Sequence, residues 1–162
     1  MRSQPNRDYV SNDVVMTPMP LACKLVDALD IAGSVLEPCC GGGSFVFALA
    51  TTTYDIQIQT CEITEGRDFF DWTGHVDWIV TNPPWSQFRP FLKHALEVAD
   101  NVAFLVTVNH WWTKARVKLV RDAGFGYKRL ILVDTPPEFP ATGFQLGMMH
   151  VQKGWNGPLE IR

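Results

Sequence analysis

The composition is that of a globular protein: 46% of the 162 residues are hydrophobic, 19% are charged, and the formal net charge is −3. The length is enough for one three-layer α/β core and too short for a sizeable second domain, so we predict a single domain over residues 1–162. No apolar run approaches the roughly 20 residues of a membrane helix, and residues 1–15 lack the apolar segment of a signal peptide. We therefore expect no membrane association and a cytoplasmic location.

Hydrophobic periodicity and turn residues indicate alternating helices and strands. In chain order the pattern predicts a helix over 19–29, a strand at 35–36, a helix over 45–50, strands over 55–63 and 76–81, a helix over 88–99, a strand over 102–108, a helix over 113–122, and strands over 127–133 and 146–152. Thr17-Pro18 is expected to cap and begin the first helix, Ser44 to cap the second, and Gly124 to end the last. Residues 1–12 are predicted to be flexible.

The alternation predicts a mostly parallel sheet, because each strand is followed by a helix that returns the chain to the other end. The last two strands lack a helix between them, so they are expected to pair antiparallel. Ligands of such sheets gather beyond the carboxyl ends of the strands. The loops that follow Leu36, Glu62 and Thr81 are therefore the places where a site is expected.

A glycine-rich loop, residues 37–45, follows the first strand and precedes a helix. Three consecutive glycines let the backbone turn sharply and approach a ligand closely. A phosphate loop would end in Gly-Lys-Ser/Thr, and a dinucleotide loop would match G-x-G-x-x-G; the loop has neither pattern. A plain strand-to-helix turn is the alternative to a ligand-binding loop.

Carboxylates follow the next two predicted strands. Glu62 ends a strand about 20 residues beyond the glycines, where Rossmann-like sheets place a carboxylate against ribose hydroxyls. Asp68 falls where a short third strand would end, and it is placed to accept a hydrogen bond from an adenine amino group while Phe69 packs on the ring. The alternative for Glu62 is a surface carboxylate at a strand end.

The most specific motif is Asn82-Pro83-Pro84-Trp85, directly after the buried strand 76–81. Two prolines remove two amide donors, so the turn presents carbonyl oxygens and the Asn82 amide. Two acceptors that bind the hydrogens of an exocyclic amine would free its lone pair to attack a methyl group, and Trp85 would stack on the ring of a base turned out of its helix. A rigid proline turn before a buried tryptophan is the structural alternative.

On these residues the chain resembles the S-adenosylmethionine-dependent amino-methyltransferases, whose hallmark is an (Asn/Asp/Ser)-Pro-Pro-(Tyr/Phe/Trp) turn. The resemblance implies a Rossmann-like class I methyltransferase fold: α/β, with a mostly parallel seven-stranded sheet, an antiparallel C-terminal strand and helices on both faces. It implies S-adenosyl-L-methionine as the cofactor. Within the family, the loop's Glu-Pro-Cys and the upstream Thr-Pro are most similar to adenine-N6 DNA methyltransferases, including short ones that phages carry, for which the location would be the host cytoplasm.

The resemblance also implies roles for individual residues. The expected cofactor contacts are Thr17, Pro18, Glu37, Pro38, Cys39, Gly41, Gly43, Phe45, Glu62, Asp68, Phe69 and Asn82. The expected catalytic turn is Asn82, Pro83, Pro84 and Trp85. Cys40 and Gly42 depart from the family pattern, since many relatives have alanine and an acidic residue there. No target-recognition domain is expected, so specificity would be short, loop-encoded, absent, or supplied by a homodimer or a specificity subunit.

Charge is distributed unevenly along the chain. The segment 86–129 carries a net charge of +5 and the remainder −8. One basic face beside an acidic scaffold would suit a nucleic acid, with DNA favoured over RNA; the alternative is the solvated side of a helix. Candidate contacts are Trp85, Trp111, Trp112, Lys114 and Arg116, together with the loop 136–145, although the tryptophan pair equally suits core packing. His110 is expected to be structural.

Metal chemistry is not expected. The cysteines lack the paired spacing of a zinc site, so four free thiols are predicted, at Cys23, Cys39, Cys40 and Cys61. Three other functions stay open: an RNA amino-methyltransferase acting on adenine N6 or guanine N2, a protein-glutamine methyltransferase, and a catalytically silent cofactor-binding subunit.

Overall fold

The computed structural model describes residues 15–162, which form one mixed sheet with helices on both faces. The α-helices of this range are α1 Met19–Asp27, α2 Ser44–Thr51, α3 Phe88–Val98 and α4 Lys114–Asp122. The strands are β1 Gly33–Glu37, β2 Ile56–Thr60, β3 Val76–Thr81, β4 Ala99–Thr107, β5 Phe125–Val133, β6 Leu146–Lys153 and β7 Glu160–Ile161. The flexibility predicted for residues 1–12 concerns a segment outside this range.

The sheet has the strand order β2-β1-β3-β4-β6-β5-β7. Strands β1 to β4 pair parallel, β6 pairs antiparallel with both β4 and β5, and β7 pairs parallel with β5. Helices α1 and α2 pack into the core on one face, and α3 and α4 into the core on the other. The predicted class, a mostly parallel sheet with an antiparallel C-terminal strand between two helix layers, is confirmed.

The central strands are apolar along most of their length because both of their faces are covered. Ile79 and Val80 of β3 and Phe104 and Leu105 of β4 are completely buried. The strand order reverses between β1 and β3, since the chain goes from β1 to β2 on one side and then crosses to β3 on the other. Such a switch point opens a crevice at the carboxyl ends of the two strands.

The predicted third strand near Asp68 was wrong. The segment between β2 and β3 forms two short 3-10 turns, Ile63–Glu65 and Phe69–Asp71, because the side chains of Glu62 and Asp68 accept hydrogen bonds from backbone amides two residues later. Gly66, at a φ of 77°, ends the first turn. The seventh strand is instead β7, which the apolar pattern did not indicate.

Two predicted helix caps were also wrong. The Thr17 hydroxyl makes no capping bond to α1, whose N-cap position is Pro18. Ser44 is the first residue of α2, and Gly43 occupies the cap position at a φ of 83°. Gly124, at a φ of 81°, follows α4 as expected. The four predicted thiols are free, and within residues 15–162 no helix is long and apolar enough to cross a membrane.

Candidate active site

The buried carboxyl group of Glu37 connects the carboxyl ends of β1 and β3. Its side chain is 1% exposed. The Thr81 hydroxyl and the Cys39 amide, the latter at 3.0 Å, both donate to Glu37 Oε1. Cys39 Sγ lies 2.9 Å from Thr81 Oγ1 and 3.3 Å from the Asn82 carbonyl oxygen. The glycine-rich loop and the proline turn are therefore joined by hydrogen bonds at the switch point.

Burial determines the protonation states of Glu37 and Cys39. It raises the pKa of Glu37 to about 8, against the opposing effect of the Thr81 and Cys39 hydrogen bonds. Burial, together with the nearby Glu37 carboxyl, also raises the pKa of the Cys39 thiol. At neutral pH both groups are therefore mainly protonated, and Glu37 ionises readily only if a cation is brought next to it.

The glycine-rich loop is held against the end of β2 by Glu62. The Gly41 amide donates to Glu62 Oε2 at 2.8 Å, and the Thr64 amide and hydroxyl donate to Oε1 at 3.2 and 2.9 Å. Partial burial opposes ionisation of Glu62, but these bonds outweigh it and lower its pKa. Gly41 has a φ of 47°, in the left-handed region that favours glycine. Glu62 is therefore an ionised carboxylate at the rim of the loop.

The segment that precedes α1 covers the loop and orients Asn82. The Gly42 amide lies 3.2 Å from the sulfur of Met16. Asn82 Nδ2 donates to the Val15 carbonyl at 3.2 Å and to the buried Thr17 hydroxyl at 3.3 Å. Thr17, expected to touch a cofactor, thus orients the Asn82 amide so that its oxygen points away from this segment.

The Asn82 oxygen already accepts one hydrogen bond within the turn. Trp85 Nε1 donates to Asn82 Oδ1 at 3.1 Å and to the Leu105 carbonyl at 3.3 Å. The Trp85 ring lies between His110 and Phe139, with ring centroids 5.8 and 6.0 Å away. An amide oxygen has a second lone pair, so Asn82 Oδ1 keeps the capacity for another donor.

Pro83 supplies the other acceptor of the turn. A carbonyl oxygen has two lone pairs, so the Pro83 carbonyl can accept from a ligand even where the turn itself uses one of them, while the neighbouring Pro84 carbonyl accepts the Gln87 amide at 3.0 Å. The two prolines and the following 3-10 turn, Trp85–Gln87, fix the backbone here. The turn therefore carries two oxygens, Asn82 Oδ1 and the Pro83 carbonyl, that are chemically able to accept from a ligand, and its catalytic role stays a prediction.

A cleft of about 340 Å³ lies beside this turn and the glycine-rich loop; its lining residues are Val15, Met16, Cys39, Gly41, Glu62, Ile63, Thr64, Asn82 and Pro84. A smaller cavity of about 30 Å³ adjoins it, and Thr17, Glu37 and Phe45 are among its lining residues. Most of the predicted cofactor residues are thus brought together around one crevice. Its volume suits a nucleoside-sized ligand.

Five predicted cofactor residues line neither the cleft nor the adjoining cavity. Pro18 is the N-cap residue of α1. Pro38 is buried, and Gly43 is the N-cap residue of α2. Asp68 lines a separate hollow of about 220 Å³. Phe69 is 2% exposed and packs against Phe91 in the core under α3, so it does not face a bound ring.

Of the residues predicted to contact a substrate, some are buried in the core and others are accessible at the surface. Trp111 is completely buried and packs edge-on against Phe88, so it contributes to the core rather than to a binding surface. Trp112 is exposed and, with Lys114, lines a hollow of about 390 Å³ along α4. Arg116 is half-buried near His110.

His110, which was expected to be structural, makes contacts with Thr107 and Phe88. Its Nδ1 lies 2.7 Å from the Thr107 hydroxyl, and its ring packs against Phe88. Burial lowers its pKa, with Arg116 contributing in the same direction, so the imidazole is neutral at neutral pH. These contacts tie the turn after β4 to the start of α3.

Sequence reasoning missed residues whose importance depends on tertiary contacts. Thr81 was recognised only as the end of a strand, although its hydroxyl sets the hydrogen bonding of Glu37. Met16 and Val15 precede the first periodic segment and carry no motif. Arg89 was counted only as part of a basic region. A polar residue at the carboxyl end of a buried strand is the signal that identifies Thr81.

Comparison with known proteins identifies the fold. No protein-family model matches the sequence, and no curated protein matches it in sequence. A protein from Listeria monocytogenes assigned to the class I S-adenosylmethionine-dependent methyltransferases is similar over 95% of this chain and 67% of its own, at 11% identity and a TM-score of 0.68.

Two nucleic-acid enzymes are similar in structure as well. A modification subunit assigned to a type I restriction enzyme from Vibrio vulnificus matches over 90% of this chain and 45% of its own, at 14% identity and a TM-score of 0.61. A protein from Pyrococcus horikoshii assigned as an RNA methyltransferase matches over 83% and 80%, at 18% identity and a TM-score of 0.54. This chain spans less than half of the Vibrio subunit. At these identities the comparisons establish the architecture, and the chain has the Rossmann-like class I methyltransferase fold.

Proposed function

We propose that this protein transfers the methyl group of S-adenosylmethionine to an exocyclic amino nitrogen, N6 of adenine in DNA. The observation that carries the proposal is the pair of acceptors on the proline turn. Asn82 Oδ1 accepts one hydrogen bond and has a second lone pair, the Pro83 carbonyl is the next acceptor along the turn, and Asn82 and Pro84 line the cleft.

The cleft residues fit the proposed cofactor. Glu62 would accept ribose hydroxyls, because a carboxylate has about four acceptor positions and the Gly41 amide and the Thr64 amide and hydroxyl occupy three of them. Glu37, which lines the adjoining cavity, would ionise against the methionine ammonium group. When bound, the cofactor supplies a methyl group on a positively charged sulfur.

The turn would then act by orienting the amine. Asn82 Oδ1 and the Pro83 carbonyl would accept the two N–H groups and hold the nitrogen pyramidal. The nitrogen lone pair forms the new bond to the methyl carbon, the C–S electron pair remains with sulfur, and the extra proton leaves nitrogen for water. The neutral His110 is not needed as a base in this scheme.

DNA is proposed ahead of RNA because the loop's Glu-Pro-Cys and the upstream Thr-Pro resemble the adenine-N6 DNA enzymes, and because the Vibrio neighbour belongs to a restriction system. The Pyrococcus horikoshii neighbour supports RNA as the second candidate. A specificity subunit or a homodimer would supply sequence recognition in the DNA case. A short or absent target sequence is the outcome expected if the chain acts alone.

The direct test is methyl transfer from tritiated S-adenosylmethionine. Purified protein is incubated separately with double-stranded DNA, single-stranded DNA and RNA, and the products are digested to nucleosides. Label in N6-methyladenine from DNA supports the proposal, and label only from RNA assigns the second candidate. Cofactor binding without label in any nucleic acid would refute both and leave a protein substrate or a silent subunit.

Trp85→Phe is expected to lower kcat roughly two- to tenfold with little change in KM for DNA. The phenyl ring keeps a surface for stacking, but the indole N–H bond that orients Asn82 is lost, and such a bond contributes about 0.5–1.5 kcal/mol. Steady-state kinetics of methyl transfer measure both constants. A variant faster than the parent protein would instead show that the indole competes with the target for Asn82.

A further inference from the structure

Basic residues occupy the first turns of α3 and α4, two of the helices that begin at the carboxyl edge of the sheet. Arg89 is the second residue of α3, and Lys114 and Arg116 are the first and third residues of α4. Neither first turn contains an acidic residue. Because a helix N-terminus carries a partial positive charge, cations there are unfavourable and carboxylates favourable. Cations in the first turns therefore lower the stability of α3 and α4. A role in binding an anion would explain why they are there.

The Arg116 guanidinium is fixed in place. Its Nη1 donates to the His110 carbonyl at 2.8 Å, and its Cζ lies 5.1 Å from the centre of the Phe88 ring. Arg116 packs on Phe88, the residue directly before Arg89. Burial lowers the pKa of Arg116, and the positive charge of Arg89 acts in the same direction. A half-buried guanidinium keeps several N–H donors for an external acceptor.

No carboxylate of residues 15–162 compensates these charges. The ion pairs of this range join other partners, and none includes Arg89, Lys114 or Arg116. Asp122, the acidic residue of α4, pairs with Lys118 at the far end of the helix. By contrast, Arg129 in the same basic region pairs with Asp30 and Glu160. Of the eight cations of segment 86–129, Lys118 and Arg129 form ion pairs within residues 15–162, and Arg89, Lys114 and Arg116 are among the six that do not.

Arg116 and Arg89 are the two of these cations that lie near the proline turn. Arg116 donates to the backbone carbonyl of His110, and the centroid of the His110 ring lies 5.8 Å from that of the Trp85 ring. Arg89 follows Trp85 by one helical turn in sequence and is exposed. An anion bound by both guanidiniums would therefore lie close to the group that the turn holds.

We propose that Arg89 and Arg116, assisted by Lys114, bind phosphodiester groups of the nucleic-acid strand that presents the target base. This inference rests on the proposed function and specifies how that site holds its substrate. Guanidinium forks suit phosphate oxygens in geometry and charge, and the partial positive charges of two helix N-termini add to the attraction. The cost of placing cations in the first turns is then offset when the strand binds.

The test is binding of fluorescein-labelled oligonucleotides by Arg89→Gln, measured by anisotropy from 50 to 200 mM NaCl. Lys24→Gln is the matched control, since Lys24 is exposed on α1 on the other side of the sheet. Arg89→Gln is expected to weaken binding roughly three- to tenfold whatever the base sequence, and to reduce the slope of log K against log salt by about one. Duplex DNA, single-stranded DNA and RNA are measured in parallel to identify which backbone is bound.

Thermal stability is a second measurement, and it is expected to increase in a variant whose binding affinity decreases. Arg89→Glu is expected to raise Tm by about 1–3 °C, because a carboxylate suits the N-terminus of α3, while it weakens binding more than Arg89→Gln does. A folded variant with weaker binding excludes unfolding as the explanation. Unchanged affinity and unchanged salt slope in Arg89→Gln would overturn the inference.

Failure of this inference is distinguishable from failure of the proposed function. If the parent protein methylates DNA and Arg89→Gln matches it in both KM and binding, the phosphate contact is refuted and the activity stands. If the parent protein binds cofactor but neither binds nor methylates any nucleic acid, both are refuted. A raised KM with unchanged kcat in Arg89→Gln supports a strand contact outside the reacting atoms.

Discussion

Asn82→Ala is expected to reduce kcat for methyl transfer by about 10²–10³-fold, the loss seen when one preorganised polar contact to a reacting group is removed. The variant lacks the Oδ1 acceptor for the target amine. It also lacks the Nδ2 donor that binds Val15 and Thr17 at 3.2 and 3.3 Å. Single-turnover rates with saturating cofactor and DNA measure the effect on the chemical step.

A matched variant separates the two parts of the Asn82 side chain. Asn82→Asp keeps an oxygen for the amine but has no donor for Val15 and Thr17, so it should retain more of the chemical rate than Asn82→Ala. Both variants should bind cofactor more weakly than the parent protein, because both release the segment that covers the cleft. Equal, near-normal rates for the two would contradict the role of Asn82 as acceptor.

From the sequence, the location of the candidate site in the fold was easier to predict than the contacts between its residues. Buried strands are recognisable from their apolar runs, and in a parallel sheet their carboxyl ends share one edge, so Glu37, Glu62 and Asn82 were expected together. The hydrogen bonds between them were not predictable. Whether Thr81 donates to Glu37 depends on the pairing of Val35 with Trp78 and Leu36 with Ile79, which local sequence does not specify.

The predictions that were wrong concern residues whose environment is decided by tertiary contacts and not by local sequence. Phe69 and Trp111 were placed in a binding site because aromatic residues near a ligand loop suit both stacking and core packing, and only the tertiary fold decides between them. The short strand expected at Asp68 was replaced by 3-10 turns because side-chain caps competed with sheet pairing. The net charge of the segment 86–129 indicated a basic face, yet it could not separate the paired Arg129 from the unpaired Arg89.

Stability should depend on pH through Glu37. Its folded-state pKa of about 8 lies above the ordinary value of 4.5, so the folded protein binds a proton more tightly than the unfolded chain does. The resulting stabilisation is fully present below pH 4.5 and is lost as the pH rises toward 8. Integrated over this window, the loss is about 4–5 kcal/mol, a large part of a typical folding free energy.

Glu37→Gln should remove this dependence, because the amide keeps an oxygen for Thr81 and Cys39 and cannot ionise. We expect the free energy of unfolding of Glu37→Gln, relative to the parent protein, to rise by about 3–5 kcal/mol between pH 5 and pH 8 and to stay constant above pH 8. The adjoining cavity of about 30 Å³ has room for a water to bind the new NH₂ group. Urea unfolding at each pH measures the difference, with the exposed Glu138→Gln as control.

The same substitution tests the role of Glu37 toward the cofactor. If the ionised carboxylate binds the methionine ammonium group, cofactor affinity of the parent protein should increase up to tenfold per pH unit below pH 8, and binding at pH 7 should release close to one proton. Calorimetry in buffers of different ionisation enthalpy measures that proton. Glu37→Gln should bind the cofactor more weakly, without proton release. A pH-independent affinity in the parent protein, together with a pH-independent stability difference, would show that Glu37 is already ionised in the folded protein and that its burial is compensated by other groups.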